Sequence, residues 1–207
     1  MGFQIPRLYA IIDPSQTGSL TPVVVAQVFL SSGVRLIQYR DKLESSRRLY
    51  EVSCEIAELV RHAGGAFIVN DRADVAWLSK AGGVHVGQED LPVEMARCVL
   101  LPGQLLGVST HTRAQLEEAE KSSADYIAIG PIFPTASKEH ADPVVGLDRL
   151  REARTLTRKP LVAIGGITLA NAASVIEAGA DSVAVIHDLL AAEDPGLQAR
   201  KFLQVLS

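Results

Sequence analysis

Eight short, largely aliphatic runs recur along the chain, at 8–12, 35–39, 66–69, 83–86, 105–109, 126–129, 161–164 and 182–186. A longer amphipathic stretch follows each of them. Runs this short and almost continuously apolar suit strands covered on both faces, which is the environment of a parallel sheet. Parallel neighbours need crossovers, and helices between the runs supply them. Several helix ends are legible. Thr21-Pro22 reads as an N-cap followed by proline in the first turn, with Gly33 closing that helix. Leu49, Val52, Ile56, Leu59, Val60 and Ala63 form one apolar stripe that stops at Gly64. Thr112 with Gln115 fits a capping box, and Thr168 is expected to cap a helix ending before Gly179.

Eight such units fit either a doubly wound open sheet or a closed (β/α)₈ barrel. A dinucleotide fold would carry a glycine-rich turn after its first strand, and Asp13-Pro14 stands there instead. The expected class is therefore α/β, with one (β/α)₈ TIM barrel spanning 1–207. With 207 residues, 47% hydrophobic and only 5% aromatic, an aliphatic core with glycine turns is expected. The net charge of −4 sets up no field attractive to nucleic acid or an acidic membrane. No run approaches about 18 apolar residues, and the first apolar run breaks at Asp13, unlike a secretory leader. A cytoplasmic location follows as the expectation. Cys54 and Cys98 are too few for a disulfide framework and read as small buried helix residues. The oligomeric state, a homo-oligomer included, stays open.

In a barrel the chemistry gathers at the carboxyl ends of the strands. After the second run, Gln38, Arg40 and Lys42 alternate onto one side, where two cations and an amide suit a diphosphate. A solvated strand end is the alternative. Asn70-Asp71 follows the third run and Asp90 comes shortly after the fourth. Asp71 and Asp90 could hold Mg²⁺ against a phosphate, or each could merely cap the helix it precedes. His85 reads better as a hydrogen-bonded core residue than as a ligand. Ser109 points a hydroxyl into the mouth, without the glycine pattern of a nucleophile elbow. The longest connection, 130–146, carries Thr135, Ser137 and Lys138 and suits a mobile lid or a plain surface loop. Gly165-Gly166 and Ile186-His187 follow the last two strands, where barrels commonly hold phosphate. Two separate anion-binding regions at one barrel end suggest two small phosphorylated substrates.

These segments resemble the thiamine-phosphate synthase family over essentially the whole chain. The resemblance is carried by residues 38–42 (QYRDK), 69–72 (VNDR), 83–90 (GVHVGQED), 107–111 (GVSTH), 124–126 (ADY), 130–135 (GPIFPT) and 163–167 (AIGGI). It implies a Mg²⁺-dependent transferase that joins hydroxymethylpyrimidine diphosphate to thiazole phosphate, releasing diphosphate in thiamine biosynthesis. It puts the pyrimidine diphosphate on Gln38, Tyr39, Arg40, Asp41, Lys42, Asn70, Ser109 and Lys138. Asp71 and Asp90 become the metal ligands, and Arg40, Lys42, Ser109 and Lys138 the catalytic set. Thiazole phosphate falls on Thr135, Ala136, Ser137, Gly166, Ile186 and His187. Family members usually carry Thr where Ser137 stands and Ser where His187 stands. A thiazole tautomerase of the same barrel would need a His where Pro131 stands. A phosphosugar isomerase would leave the paired aspartates unexplained, and a non-catalytic binder of thiamine precursors would have no use for an intact set of cations.

Overall fold

Strand β1 (Leu8–Ile12) pairs in parallel with β2 (Leu36–Tyr39), and the pairing continues in chain order through β3 (Ala66–Asn70), β4 (Gly83–Val86), β5 (Leu105–Thr110), β6 (Tyr126–Ile129), β7 (Leu161–Ile164) and β8 (Ser182–Val185). Strand β8 returns to β1 with Tyr9 opposite Ala184, closing an eight-stranded barrel. This computed structural model describes residues 4–135 and 143–207. The helices are α1 (Pro22–Ser31), α2 (Ser46–His62), α3 (Ala73–Leu78), α4 (Val93–Val99), α5 (Arg113–Lys121), α6 (Gly146–Leu156), α7 (Ala172–Glu177), α8 (His187–Leu190) and α9 (Pro195–Val205). None of them is long and apolar enough to cross a membrane.

Local sequence explains the boundaries. Thr21 Oγ1 accepts the Val24 amide at 3.3 Å and Pro22 starts α1. Leu49, Val52, Ile56 and Val60 are the buried stripe of α2, and Gly64 takes the left-handed φ of +69° that ends it. The Thr112–Gln115 capping box forms in both directions at the start of α5. Thr168 differs from expectation. Helix α7 begins four residues later, because Asn171 uses its side chain to build a turn ahead of it. Its Oδ1 accepts the Thr168 amide at 2.8 Å and its Nδ2 donates to the Gly166 carbonyl at 3.1 Å. Cys54 is half-buried on α2, whereas Cys98 is exposed, since the seven-residue α4 buries only Ala96.

Alternation along the strands creates two apolar layers. Tyr9, Ile11, Leu36, Ile68, Tyr126, Ala128, Val162 and Ala184 point inward and fill the barrel. Their neighbours in sequence, among them Ala10, Ile37, Val69, Ile127 and Val183, point outward and meet the helices. Polar side chains interrupt the inner layer toward the carboxyl ends of the strands. The site lies there.

Candidate active site

A cavity of about 640 Å³ opens at the carboxyl end of the barrel, within the usual size of a small-ligand pocket. Its floor carries Tyr9, Ile11 and Ala128, its apolar wall Val162, Ile164 and Ala184. Strand β2 extends into the rim: Gln38 and Arg40 line the cavity, while Tyr39 between them turns outward into the helix-facing core. Alternation thus separates Tyr39 from its neighbours, and its hydroxyl donates to Asp41 Oδ2 at 3.0 Å. Asp41 Oδ1 accepts the amides of Leu43 and Glu44 at 3.1 Å each, which shapes the turn into α2.

Arg40 is aimed by a residue that sequence reading passed over. Asp13, buried just beyond β1, accepts from Arg40 Nη1 at 2.6 Å through Oδ2. Its Oδ1 accepts from the Ser15 amide and hydroxyl at 3.1 and 2.6 Å, starting the 3₁₀ turn Pro14–Gln16. One carboxylate therefore fixes both the guanidinium and the turn.

Asp71 and Asp90 converge beside Lys42, just past the ends of β3 and β4. The Asp71 carboxyl accepts from Lys42 Nζ, and the Asp90 carboxyl stands close enough to act on it electrostatically. Burial, then the Asp90 carboxyl, push the Asp71 acid up to about 6. Asp90 Oδ2 also accepts the Gly87 amide at 2.7 Å. Neither aspartate caps a helix: the caps of α3 and α4 are Arg72 and Pro92, without side-chain hydrogen bonds. The capping alternative is thereby overturned. Asp71 takes a left-handed φ of +61° while its amide donates to the His85 carbonyl at 2.7 Å, an arrangement that turns its side chain back toward β4. Two mutually repelling carboxyls this close together are a donor set that a divalent cation relieves. No cluster of three or more His, Cys, Asp or Glu ligands exists among the described residues. Water and ligand oxygens would have to complete the coordination, as magnesium accepts.

Asn70, His85 and Ser109 line the cavity from β3, β4 and β5. His85 is buried and hydrogen-bonded at both nitrogens, to Tyr126 Oη at 3.0 Å and to Ser109 Oγ at 2.8 Å. On the opposite side, Thr135, Gly165, Gly166, Ile186 and His187 border the same cavity. Gly166 has φ +64°, and a Cβ there would stand 2.7 Å from Phe133 Cβ, so close packing as well as backbone conformation demands glycine. The imidazole of His187 reaches Gln16 Oε1 at 3.1 Å through Nδ1, tying the start of α8 to the turn after β1. Ala136, Ser137 and Lys138 lie outside the described residues.

Arg40, Asn70 and the Gly165-Gly166 turn thus meet around one cavity at the carboxyl end of a (β/α)₈ barrel. The profile of the family described as thiamine monophosphate synthase matches residues 8–189, and the chain belongs to that family. It is 51% identical to a thiamine-phosphate synthase of Koribacter versatilis, over 99% of this chain and 98% of that one. A thiamine-phosphate synthase of Chloroflexus aurantiacus is 43% identical, over 97% and 93% of the two chains. Among solved structures, thiamine phosphate pyrophosphorylase from Pyrococcus furiosus superposes with a TM-score of 0.88 at 34% identity, covering 97% of this chain and 95% of that one.

Proposed function

We propose that this chain condenses 4-amino-2-methyl-5-(diphosphooxymethyl)pyrimidine with 4-methyl-5-(2-phosphooxyethyl)thiazole, giving thiamine phosphate and releasing diphosphate. The observation that carries the reading is the convergence of Lys42, Asp71 and Asp90 just past the ends of β2, β3 and β4, next in the chain to the cavity-lining Arg40 and Asn70. That grouping suits a diphosphate, whereas a tautomerase working on one monophosphate has no need of it. Gln38, Arg40, Lys42, Asn70 and Ser109 would bind the pyrimidine diphosphate, together with Lys138 from the loop after β6. Thr135, Ser137, Gly166 and the Ile186-His187 step would take the thiazole phosphate. Tyr39 and Asp41 would serve this subsite through the backbone and the turn, because their side chains engage each other.

Mg²⁺, held by Asp71 and Asp90, would supply electrophilic stabilisation of the diphosphate charge. The chain's own residues do the rest. Arg40 and Lys42 set fixed positive charge against the departing group, where preorganised electrostatics act most strongly. The apolar wall of Val162, Ile164 and Ala184 keeps water from the reactive pyrimidine methylene and leaves the thiazole nitrogen as the available nucleophile. Holding both heterocycles in one 640 Å³ cavity converts a bimolecular encounter into an aligned one. No protein nucleophile is required.

The test is incubation of the purified chain with both precursors and Mg²⁺, with thiamine phosphate and diphosphate assayed together. Equal amounts of the two products, and none from either precursor alone, is the expected result. Conversion of a thiazole precursor without diphosphate release would overturn the reading in favour of a tautomerase. A second expectation concerns His187. Because its ring is engaged with Gln16, its backbone is the part left for an anion, and His187→Ser should change the thiazole-phosphate KM by less than about tenfold, the scale of one hydrogen bond. A larger gain in affinity would instead make a hydroxyl at this step part of the anion site.

A further inference from the structure

Five side chains from five strands form an unbroken line of hydrogen bonds across the barrel. Gln38 Nε2 donates to Tyr9 Oη at 2.7 Å, Tyr9 Oη meets Tyr126 Oη at 3.0 Å, Tyr126 Oη meets His85 Nδ1 at 3.0 Å, and His85 Nε2 meets Ser109 Oγ at 2.8 Å. The middle of this line, Tyr9 and Tyr126, is buried, and its two ends, Gln38 and Ser109, border the cavity.

Counting hydrogens gives the line a direction. A phenol has one hydrogen to donate, and a neutral imidazole has one N–H. Burial pushes both tyrosine hydroxyls well above their ordinary range, so each keeps its hydrogen. Tyr9 already accepts from Gln38, and its hydrogen can satisfy only Tyr126. Tyr126 then gives its own hydrogen to His85 Nδ1, which places the imidazole N–H on Nε2 facing Ser109. Were the direction reversed, the Tyr9 oxygen would accept twice while its hydrogen lay buried without an acceptor, at a cost of roughly 1–3 kcal/mol. Ser109, accepting from His85, has its hydroxyl hydrogen left for the cavity.

We propose that His85 is a positioning residue: the Gln38–Tyr9–Tyr126 line locks its tautomer, and that tautomer makes Ser109 a hydrogen-bond donor toward the ligand. Gly107 on β5 is independent support. A Cβ there would overlap the Tyr126 ring and hydroxyl and stand 2.5 Å from His85 Nδ1. The strand has been thinned to glycine where the two rings meet. A donor at Ser109 suits the diphosphate oxygen on which negative charge grows as the carbon–oxygen bond breaks, so the effect belongs to the rate more than to binding. That last point rests on the reaction proposed above. The polarity of the line does not.

Nitrogen-15 NMR on the labelled full chain reads the tautomer directly, with His85 assigned by its loss in His85→Gln. The expected spectrum has Nδ1 unprotonated and Nε2 protonated. Tyr126→Phe, which removes one oxygen and keeps the ring, should mix the tautomers and lower kcat about tenfold, the scale of one hydrogen bond felt in the transition state, with far less change in KM. His85→Gln sets an amide N–H near the position of Nε2 and should retain more activity than His85→Leu. A protonated Nδ1 in the wild type would overturn the proposal. So would a Tyr126→Phe chain with lowered melting temperature but unchanged kcat. A wild-type chain that shows the expected tautomer but makes no thiamine phosphate would support the relay and overturn only the reaction.

Discussion

Asp71→Asn is expected to abolish turnover while leaving the metal-free chain at least as stable as the wild type. The loss should exceed about a hundredfold, since a metal's contribution to charge stabilisation amounts to several kcal/mol. The stability side follows from sign. In the folded chain the Asp71 acid is pushed up from 3.8 to about 6, so the ionised form costs folding free energy. That cost grows as pH rises from about 4 to 6 and is fully present at neutral pH. Partial solvent exposure leaves it at roughly 1–3 kcal/mol. Asparagine removes the repulsion with Asp90 and forfeits a half-exposed ion pair with Lys42 that contributes about 0–1 kcal/mol. Asparagine also tolerates the left-handed backbone at this position, whereas alanine would add strain and blur the comparison. Melting curves at pH 7.5 with and without Mg²⁺ check both halves: Mg²⁺ should raise the wild-type midpoint and leave that of Asp71→Asn unmoved. A variant that keeps normal turnover at low metal would sink the assignment of Asp71 as a ligand.

Arg40→Ala should likewise cost about a hundredfold or more in kcat/KM, but with the opposite effect on stability. Removing the guanidinium strands the buried Asp13 carboxylate, and breaking such a pair from one side is the costly way to break it. With Arg40 one-fifth exposed, about 2 kcal/mol is expected, a fall of about 4–8 °C for a chain of this length. Adding Asp13→Asn should recover most of the melting temperature, because the amide still caps the Pro14–Gln16 turn without leaving a charge. It should recover none of the activity. If the double variant regained turnover, Arg40 would be a structural partner of Asp13 rather than a group that meets the diphosphate.

Much of this architecture was legible in the residue order, for identifiable reasons. Consecutive parallel strands are neighbours, so Asn70-Asp71 and Asp90, read from adjacent strand ends, had to approach each other. Alternation foretold that Gln38 and Arg40 share a side, and it equally implies that Tyr39 does not. What escaped notice depends on distances around the barrel. Asp13 reads as a turn residue until β1 and β2 are seen side by side, with Arg40 folded against it. Tyr9 and Tyr126 look like ordinary core aromatics 117 positions apart, and only the closed barrel turns their hydroxyls toward each other. Gly107 carried a faint signal, a glycine inside an otherwise aliphatic strand, where close approach of another group is the usual cause. Thr168 and Cys98 misled because each was judged by its own segment. Asn171 claimed the start of α7, and the short α4 had no second face to bury.

The two apolar layers keep separate accounts of what a substitution does. Changes among outward residues such as Ile37, Ile127 or Val183 alter how helices clasp the strands, while inward ones such as Ala128 or Ala184 alter the space offered to heterocycles. Among the described residues, Ile186 alone packs against both layers, and it also stands at the cavity rim beside α8. A substitution at Ile186 therefore reaches both the helix packing and the cavity wall.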